Sequence, residues 1–219
     1  MTSASPPRWV APVLALMLLA ASSCTEAPST SSYVFKPDAS PVKVDTPALR
    51  AQKAAAGIDD CPVTTPREEP APDNGLPDIT LPCLGGGRDV HLAGLTGIPA
   101  VVNFWAQTCG PCRKESPILQ RFHAAAGDRV RVLGIDWQDS QPDQALAFAE
   151  YLGLTYPQLA DPDAATRGPL QIAGLPLSLF VDAEGTIVHA EYGAITSLQS
   201  LSSLVARHLG VRVGPSDAR

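Results

Sequence analysis

The stretch Ala100-Val101-Val102-Asn103-Phe104-Trp105-Ala106-Gln107-Thr108-Cys109-Gly110-Pro111-Cys112-Arg113-Lys114-Glu115 decides the fold. Ala100 to Trp105 is a short apolar run suited to a buried central strand. A helix follows from about Cys109, because Ile118, Leu119, Phe122 and Ala126 fall on one helical face. The first cysteine therefore opens a helix, where free amides and the helix dipole stabilise an anion. A thiolate is the anion in question, and in such settings its pKa drops well below about 8.5. Cys112 is spaced to reach back and resolve a mixed disulfide formed at Cys109. Glu115 lies three residues after Cys112 and three before Ile118, on the apolar stripe. A carboxyl held there is costly as an anion, has a raised pKa and can exchange a proton with Cys112. The alternative is an ordinary first-turn acid favoured by the dipole.

Working outward, Ile79 to Leu84 and Val90 to Leu92 flank Gly85-Gly86-Gly87 and predict a hairpin. Val130 to Ile135 reads as the next strand, and Ser140 with Asp143 as a capping box ahead of a helix to Leu152. Leu177 to Val181 and Thr186 to Ala190 form a second hairpin over Asp182-Ala183-Glu184-Gly185. A last helix runs from Thr196 to Leu209 and stops at Gly210. Nearer the start, Thr46 as N-cap, Pro47 at the first position and Gly57 as stop bound a short helix over Ala48 to Ala56. Residues 62–77 are Pro-rich and read as a loop. The expected fold class is α/β, a mixed central sheet with helices on both faces and an added N-terminal β-hairpin.

The chain has 219 residues, 45% of them apolar, enough for one domain plus tails. A net charge of −6 and a pI near 5.1 argue against a nucleic-acid partner. Arg8 precedes an apolar run from Trp9 to Ala21. That run is too short for a membrane span of about 20 residues but suits the core of a signal peptide. A buried core helix is the alternative. Cys24 follows Ala21-Ser22-Ser23, which resembles a bacterial lipobox and makes Cys24 a lipidation site; an ordinary signal peptide is the other reading. Five cysteines leave one over after pairing, which lipidation accounts for. In an oxidising compartment Cys61 and Cys83 form a second disulfide by default. Closing that loop contributes about 3 kcal/mol on a chain-entropy argument. The pair is either structural or a regulatory redox pair. The expected partition is a signal peptide over 1–23, a Ser/Thr/Pro-rich tether over 24–46, an extension over 47–75, the main domain over 76–211 and a tail over 212–219.

The segment around Cys109 resembles the active site of thioredoxins. The run from Leu76 to Pro117 is most similar to the extracytoplasmic TlpA/ResA branch, and the likeness covers about residues 76–210. The resemblance implies a thioredoxin-like fold in which Cys109 attacks and Cys112 resolves. It implies that Trp105 packs beside the dithiol and that Gly110-Pro111 is the thioredoxin dipeptide. Pro176, in Gly174-Leu175-Pro176, matches the family's cis-proline, which turns the Leu175 backbone toward a bound peptide. A trans proline opening a strand is the alternative. Where thioredoxin has a buried Asp, this chain has Asn103; TlpA/ResA proteins share that Asn and carry an acid matched by Glu115. Thr108 stands where many relatives have Trp or Tyr.

The function implied is reduction of disulfides in exported proteins at the outer face of a bacterial membrane. Apo-cytochrome c is the expected substrate, and electrons come from a membrane thiol carrier of the CcdA/DsbD type. A lipid-anchored monomer with no cofactor and no metal fits this role. Gly110-Pro111 leans toward a reductant; a disulfide-forming oxidase and a client-binding module with little turnover stay open. Zinc lacks a second ligand pair, since Cys61 and Cys83 stand alone and His91, His123, His189 and His208 make no close pair. Copper-type CxxxC spacing is absent, and Ala106 replaces the Thr a peroxidatic cysteine needs.

Overall fold

The computed structural model describes residues 42–66 and 72–214. The expected signal peptide, the lipidation of Cys24 and most of the tether lie outside the described residues. Helix α1, Pro47–Ala56, begins as its local chemistry dictates: Thr46 Oγ1 accepts from the Leu49 amide at 3.2 Å, and Gly57 closes it at φ 67°. A two-stranded hairpin follows, β1 Thr80–Leu81 against β2 Val90–His91, and one 3-10 turn at Leu92–Gly94. The three glycines between its strands adopt positive φ. They also seat α1, because a Cβ on Gly85 would lie 2.7 Å from Lys53 Cβ, and one on Gly86 2.9 Å from Arg50 Cγ.

The main sheet has the order β5-β4-β3-β6-β7. Strand β3, Ala100–Trp105, is buried throughout and lies at its centre. It pairs in parallel with β4, Arg131–Trp137, which pairs in parallel with β5, Gln158–Asp161. On its other side β3 pairs antiparallel with β6, Leu177–Val181, and β6 with β7, Ile187–Tyr192. Helices α2, Gly110–Ala126, and α3, Pro142–Tyr151, connect the parallel strands; α4, Arg167–Leu170, leads to β6; and α5, Leu198–His208, ends the fold. This is a thioredoxin-like sheet.

Alternation along β3 sends its side chains to two cores. Val101 and Trp105 join Leu119 and Phe122 of α2, Phe148 of α3 and Leu201 and Val205 of α5. Val102 and Phe104 join Leu81 and Val90 of the hairpin, Leu92 of the 3-10 turn and Ile172, with Leu170 of α4 packed against them. The four longer helices thus sit on one face, while the added hairpin and the short helical turns cover the other.

Two helix starts differ from the sequence reading. Ser140 and Asp143 make no capping box; Gln141 is the N-cap of α3 without a side-chain bond, and Asp139 Oδ1 accepts from the Gln141 amide at 2.8 Å. Pro142 fixes the first helical position instead. Helix α5 starts at Leu198, two residues later than Thr196, behind the N-cap Ser197, whose Oγ accepts from the Ser200 amide at 3.0 Å. Strand β5 was not foreseen. It is four residues long, its polar ends lie between Pro157 and Pro162, and one end is satisfied across the fold and the other locally: Gln158 Oε1 accepts from Trp105 Nε1 at 2.9 Å, and Asp161 accepts from the Ala165 and Thr166 amides at 2.7 and 3.1 Å.

Candidate active site

Strand β3 ends at Trp105, and a short turn delivers Cys109 to the N-cap of α2. The Cys109 Sγ accepts from the Cys112 amide at 3.2 Å, so the first turn of the helix already points a donor at the sulfur. Cys109 and Cys112 are joined in a disulfide with their Cα atoms 5.3 Å apart. The two sulfurs are not equivalent. Cys112 is 1% exposed, whereas Cys109 is half-buried and flanked by the exposed residues Thr108, Gly110 and Pro111. An external thiol or disulfide can reach only Cys109.

Glu115 lies one turn into α2 and is 1% exposed. Ser178 Oγ on β6 donates to its Oε1 at 3.2 Å, and Asn103 Nδ2 on β3 donates to Ser178 Oγ at 3.0 Å. Asn103 and Ser178 are register partners, so the sheet sets this relay. The second oxygen, Oε2, has no hydrogen-bond partner within bonding geometry among the described residues. Burial pushes the Glu115 pKa up from 4.5 to about 7, opposed by the Ser178 hydroxyl, the Ile195 amide and Asn103, with the Glu191 charge adding to the rise. A carboxyl poised near neutrality, three residues along the helix from Cys112, can take or give a proton at ordinary pH. Ser178 went unnoticed in the sequence; the only signal was one hydroxyl in the otherwise apolar Leu177-Ser178-Leu179-Phe180-Val181.

Trp105 is 1% exposed and belongs to the same apolar cluster as Cys112, against which Cys109 packs. Its ring stacks on Phe148 at 5.0 Å, and its Nε1 donates to Gln158 Oε1 at 2.9 Å. The Arg113 guanidinium covers the other ring of that stack, 4.9 Å from the Phe148 centroid. Gly134 makes the Trp105 bond sterically possible: a Cβ there would collide with Gln158 Oε1 and lie 2.9 Å from Trp105 Nε1. Gly134→Ala is expected to lower stability by about 2 kcal/mol or more, from overpacking and an unpaired buried indole N–H. Urea unfolding checks this; a loss under about 0.5 kcal/mol would mean the site relaxes freely.

Asp136 is a second buried acid that sequence reasoning missed. It pairs with Trp105 across β3 and β4, is 1% exposed, and its Oδ1 has no hydrogen-bond partner among the described residues. Burial, then the neighbouring Asp139, pushes its pKa well above the ordinary value for an aspartate.

The Leu175–Pro176 peptide bond is cis. Because Leu177 pairs with Phe104, Pro176 sits at the end of the sheet where β3 feeds the CxxC turn. Leu175 packs against both cores from this end. Cys61 and Cys83 also form a disulfide, with Cα atoms 6.0 Å apart, joining the loop after α1 to the hairpin. Cys83 bridges Leu159 of β5, so the staple ties the N-terminal extension to the edge of the main sheet.

Residues 72–190 match the family described as AhpC/TSA. The chain belongs to the AhpC/TSA family. Within this family it is 36% identical over 147 residues to the thiol:disulfide interchange protein DsbE of Allochromatium vinosum, covering 65% of this chain and 77% of that one. It is 31% identical over 128 residues to DsbE of Xylella fastidiosa, covering 58% of this chain and 61% of that relative's length. The crystal structure of a secreted Mycobacterium tuberculosis disulfide oxidoreductase homologous to E. coli DsbE superposes with a TM-score of 0.54 at 28% identity, over 59% of this chain and 96% of the other. This AhpC/TSA member is a thiol-disulfide oxidoreductase of the DsbE/ResA type.

Proposed function

We propose that the protein reduces disulfides of exported proteins outside the cytoplasm, with apo-cytochrome c as the expected substrate. The observation that carries this reading is the pair itself: one reachable sulfur at a helix N-terminus, one buried sulfur, and a buried carboxyl with a pKa of about 7 three residues on. In the reduced enzyme the Cys109 thiolate attacks a substrate sulfur, and the substrate's S–S bond breaks to leave a mixed disulfide and one substrate thiolate. Glu115 as carboxylate takes the proton from Cys112. The Cys112 thiolate then attacks Cys109 Sγ, releases the second substrate thiol, and closes the enzyme disulfide. Pro176 and the Leu175 backbone line the substrate's approach in this reading. Electrons return from a membrane thiol carrier of the CcdA/DsbD type, and a lipidated Cys24 holds the enzyme near it. Gly110-Pro111 favours the reducing direction.

Direction is a matter of potential rather than fold. Thiol trapping of Cys109–Cys112 in defined redox buffers, read by peptide mass spectrometry, tests it. A value of about −270 mV or lower fits a reductant; one of about −120 mV would make the protein a disulfide-forming oxidase.

A further inference from the structure

Lys53 places a positive charge where few are found. It lies on the inner face of α1 and is 6% exposed. Its Nζ donates to the Gly86 carbonyl at 3.0 Å and to Cys83 Sγ at 3.3 Å. The only carboxylate within 4 Å among the described residues is Asp60, at 3.4 Å, and that side chain is 97% exposed, so water screens it. A buried ammonium is costly unless an anion meets it. A disulfide sulfur is a weak, uncharged acceptor. A thiolate at the same position would be a full counter-ion at hydrogen-bonding distance. The surroundings of Cys83 therefore suit its reduced form better than its oxidised form.

We propose that Cys61–Cys83 is a second redox-active pair, in which Lys53 stabilises Cys83 as the leaving thiolate and Cys61 is the sulfur attacked. Cys61 is itself buried, at 5% exposed, but it opens a loop whose Val63 is 68% exposed, so displacement of that loop uncovers it, whereas Cys83 is 1% exposed beneath α1. The thiolate of an incoming dithiol bonds to Cys61 Sγ, and the Cys61–Cys83 bond breaks. Cys83 keeps the electron pair and stays a thiolate against Lys53, so this step needs no proton. The second thiol of the reductant then attacks its own sulfur in the mixed disulfide. It gives its proton to the departing Cys61, and the reductant ends as a disulfide. Two electrons enter the protein, and the tie between the α1 loop and the sheet edge opens. The proposal does not depend on the direction of exchange at Cys109–Cys112.

The test uses the full chain and Lys53→Met, which keeps length and removes charge. Both are equilibrated in dithiothreitol redox buffers at pH 7 and pH 9, and each pair is followed by peptide mass spectrometry. Removing the charge is expected to lower the equilibrium constant for reducing Cys61–Cys83 about tenfold at pH 9, about 30 mV for a two-electron couple. The loss is smaller at pH 7, where less of the thiol ionises in either protein, and Cys109–Cys112 is unchanged. In the reduced proteins, the pH midpoint for iodoacetamide labelling of Cys83 rises by about 1 to 3 units in the variant. Equal constants and equal midpoints would overturn the proposal. So would a Cys61–Cys83 pair that stays oxidised in every buffer that leaves the protein folded. Should the variant fail to fold, the wild-type midpoint decides: burial alone would hold it above about 8.5, and Lys53 is expected to bring it below.

Discussion

Cys109→Ser is expected to bring dithiothreitol-driven insulin reduction down to the rate of dithiothreitol alone, the largest activity effect of any single change. The reason is the asymmetry of the pair. Cys112 is 1% exposed, so it cannot substitute as the attacking sulfur, and a serine hydroxyl is not ionised at the helix N-terminus as a thiolate is. Cys112→Ser should behave differently. It keeps the nucleophile at the N-cap of α2 but cannot resolve, so mixed disulfides at Cys109 accumulate and show as added mass on the intact protein. A Cys109→Ser protein that matched the wild-type rate would point to a client-binding module rather than an enzyme.

Glu115→Gln separates catalysis from stability because the two should move in opposite directions. With a folded-state pKa of about 7 against an ordinary 4.5, the folded protein binds this proton more tightly than the unfolded chain. Between those values the native state holds more protons, so stability falls as pH rises from about 4.5 through 7. The full cost is roughly 3 kcal/mol, present at pH 8 and absent at pH 4. Glutamine stays neutral and can still accept the Ser178 hydroxyl bond, so the variant should be more stable than wild type at pH 8 by about that amount and similar at pH 4. Urea unfolding at the two pH values measures it. Thiol exchange should meanwhile slow by about 10²-fold, the low end of general acid–base contributions, and lose its pH dependence near 7. A stability gain without any slowing would leave Glu115 as a buried structural acid with no part in proton transfer.

A second consequence of Glu115 is architectural. Its carboxyl is reached from β3 by Asn103 and from β6 by Ser178, so the proton-handling group is tied to the strand that leads into the CxxC turn. Trp105, the last residue of that strand, is fixed in turn by Gln158 on β5 and Phe148 on α3. Three strands and two helices thus converge on one end of the sheet, which is why the dithiol has a defined environment despite sitting on a turn.

The sequence by itself determined what depends on residues close along the chain. The apolar run Ala100–Trp105 and the helical stripe after it place Cys109 at a helix N-terminus. Thr46, Pro47 and Gly57 bound α1 through bonds no more than a few residues long. The cysteine count, with an oxidising compartment expected, was enough to pair Cys61 with Cys83. Even locally, chemistry can mislead: Ser140 and Asp143 have capping-box spacing, but Pro142 and the Asp139 side chain set the start of α3 instead. The tertiary structure decided everything carried by distant pairs. Ser178 meets Glu115 across 63 residues, Trp105 meets Gln158 across 53, and Lys53 meets Cys83 across 30. No periodicity encodes such meetings, because they arise only when register aligns the strands and helices close over them. Strand β5 is of the same kind, a polar-ended four-residue segment that becomes a strand through its pairing with β4 and the bond from Trp105 to Gln158. Burial, and with it the raised pKa values of Glu115 and Asp136, is likewise a property of the packed molecule, since a carboxyl loses its water only when other elements displace it.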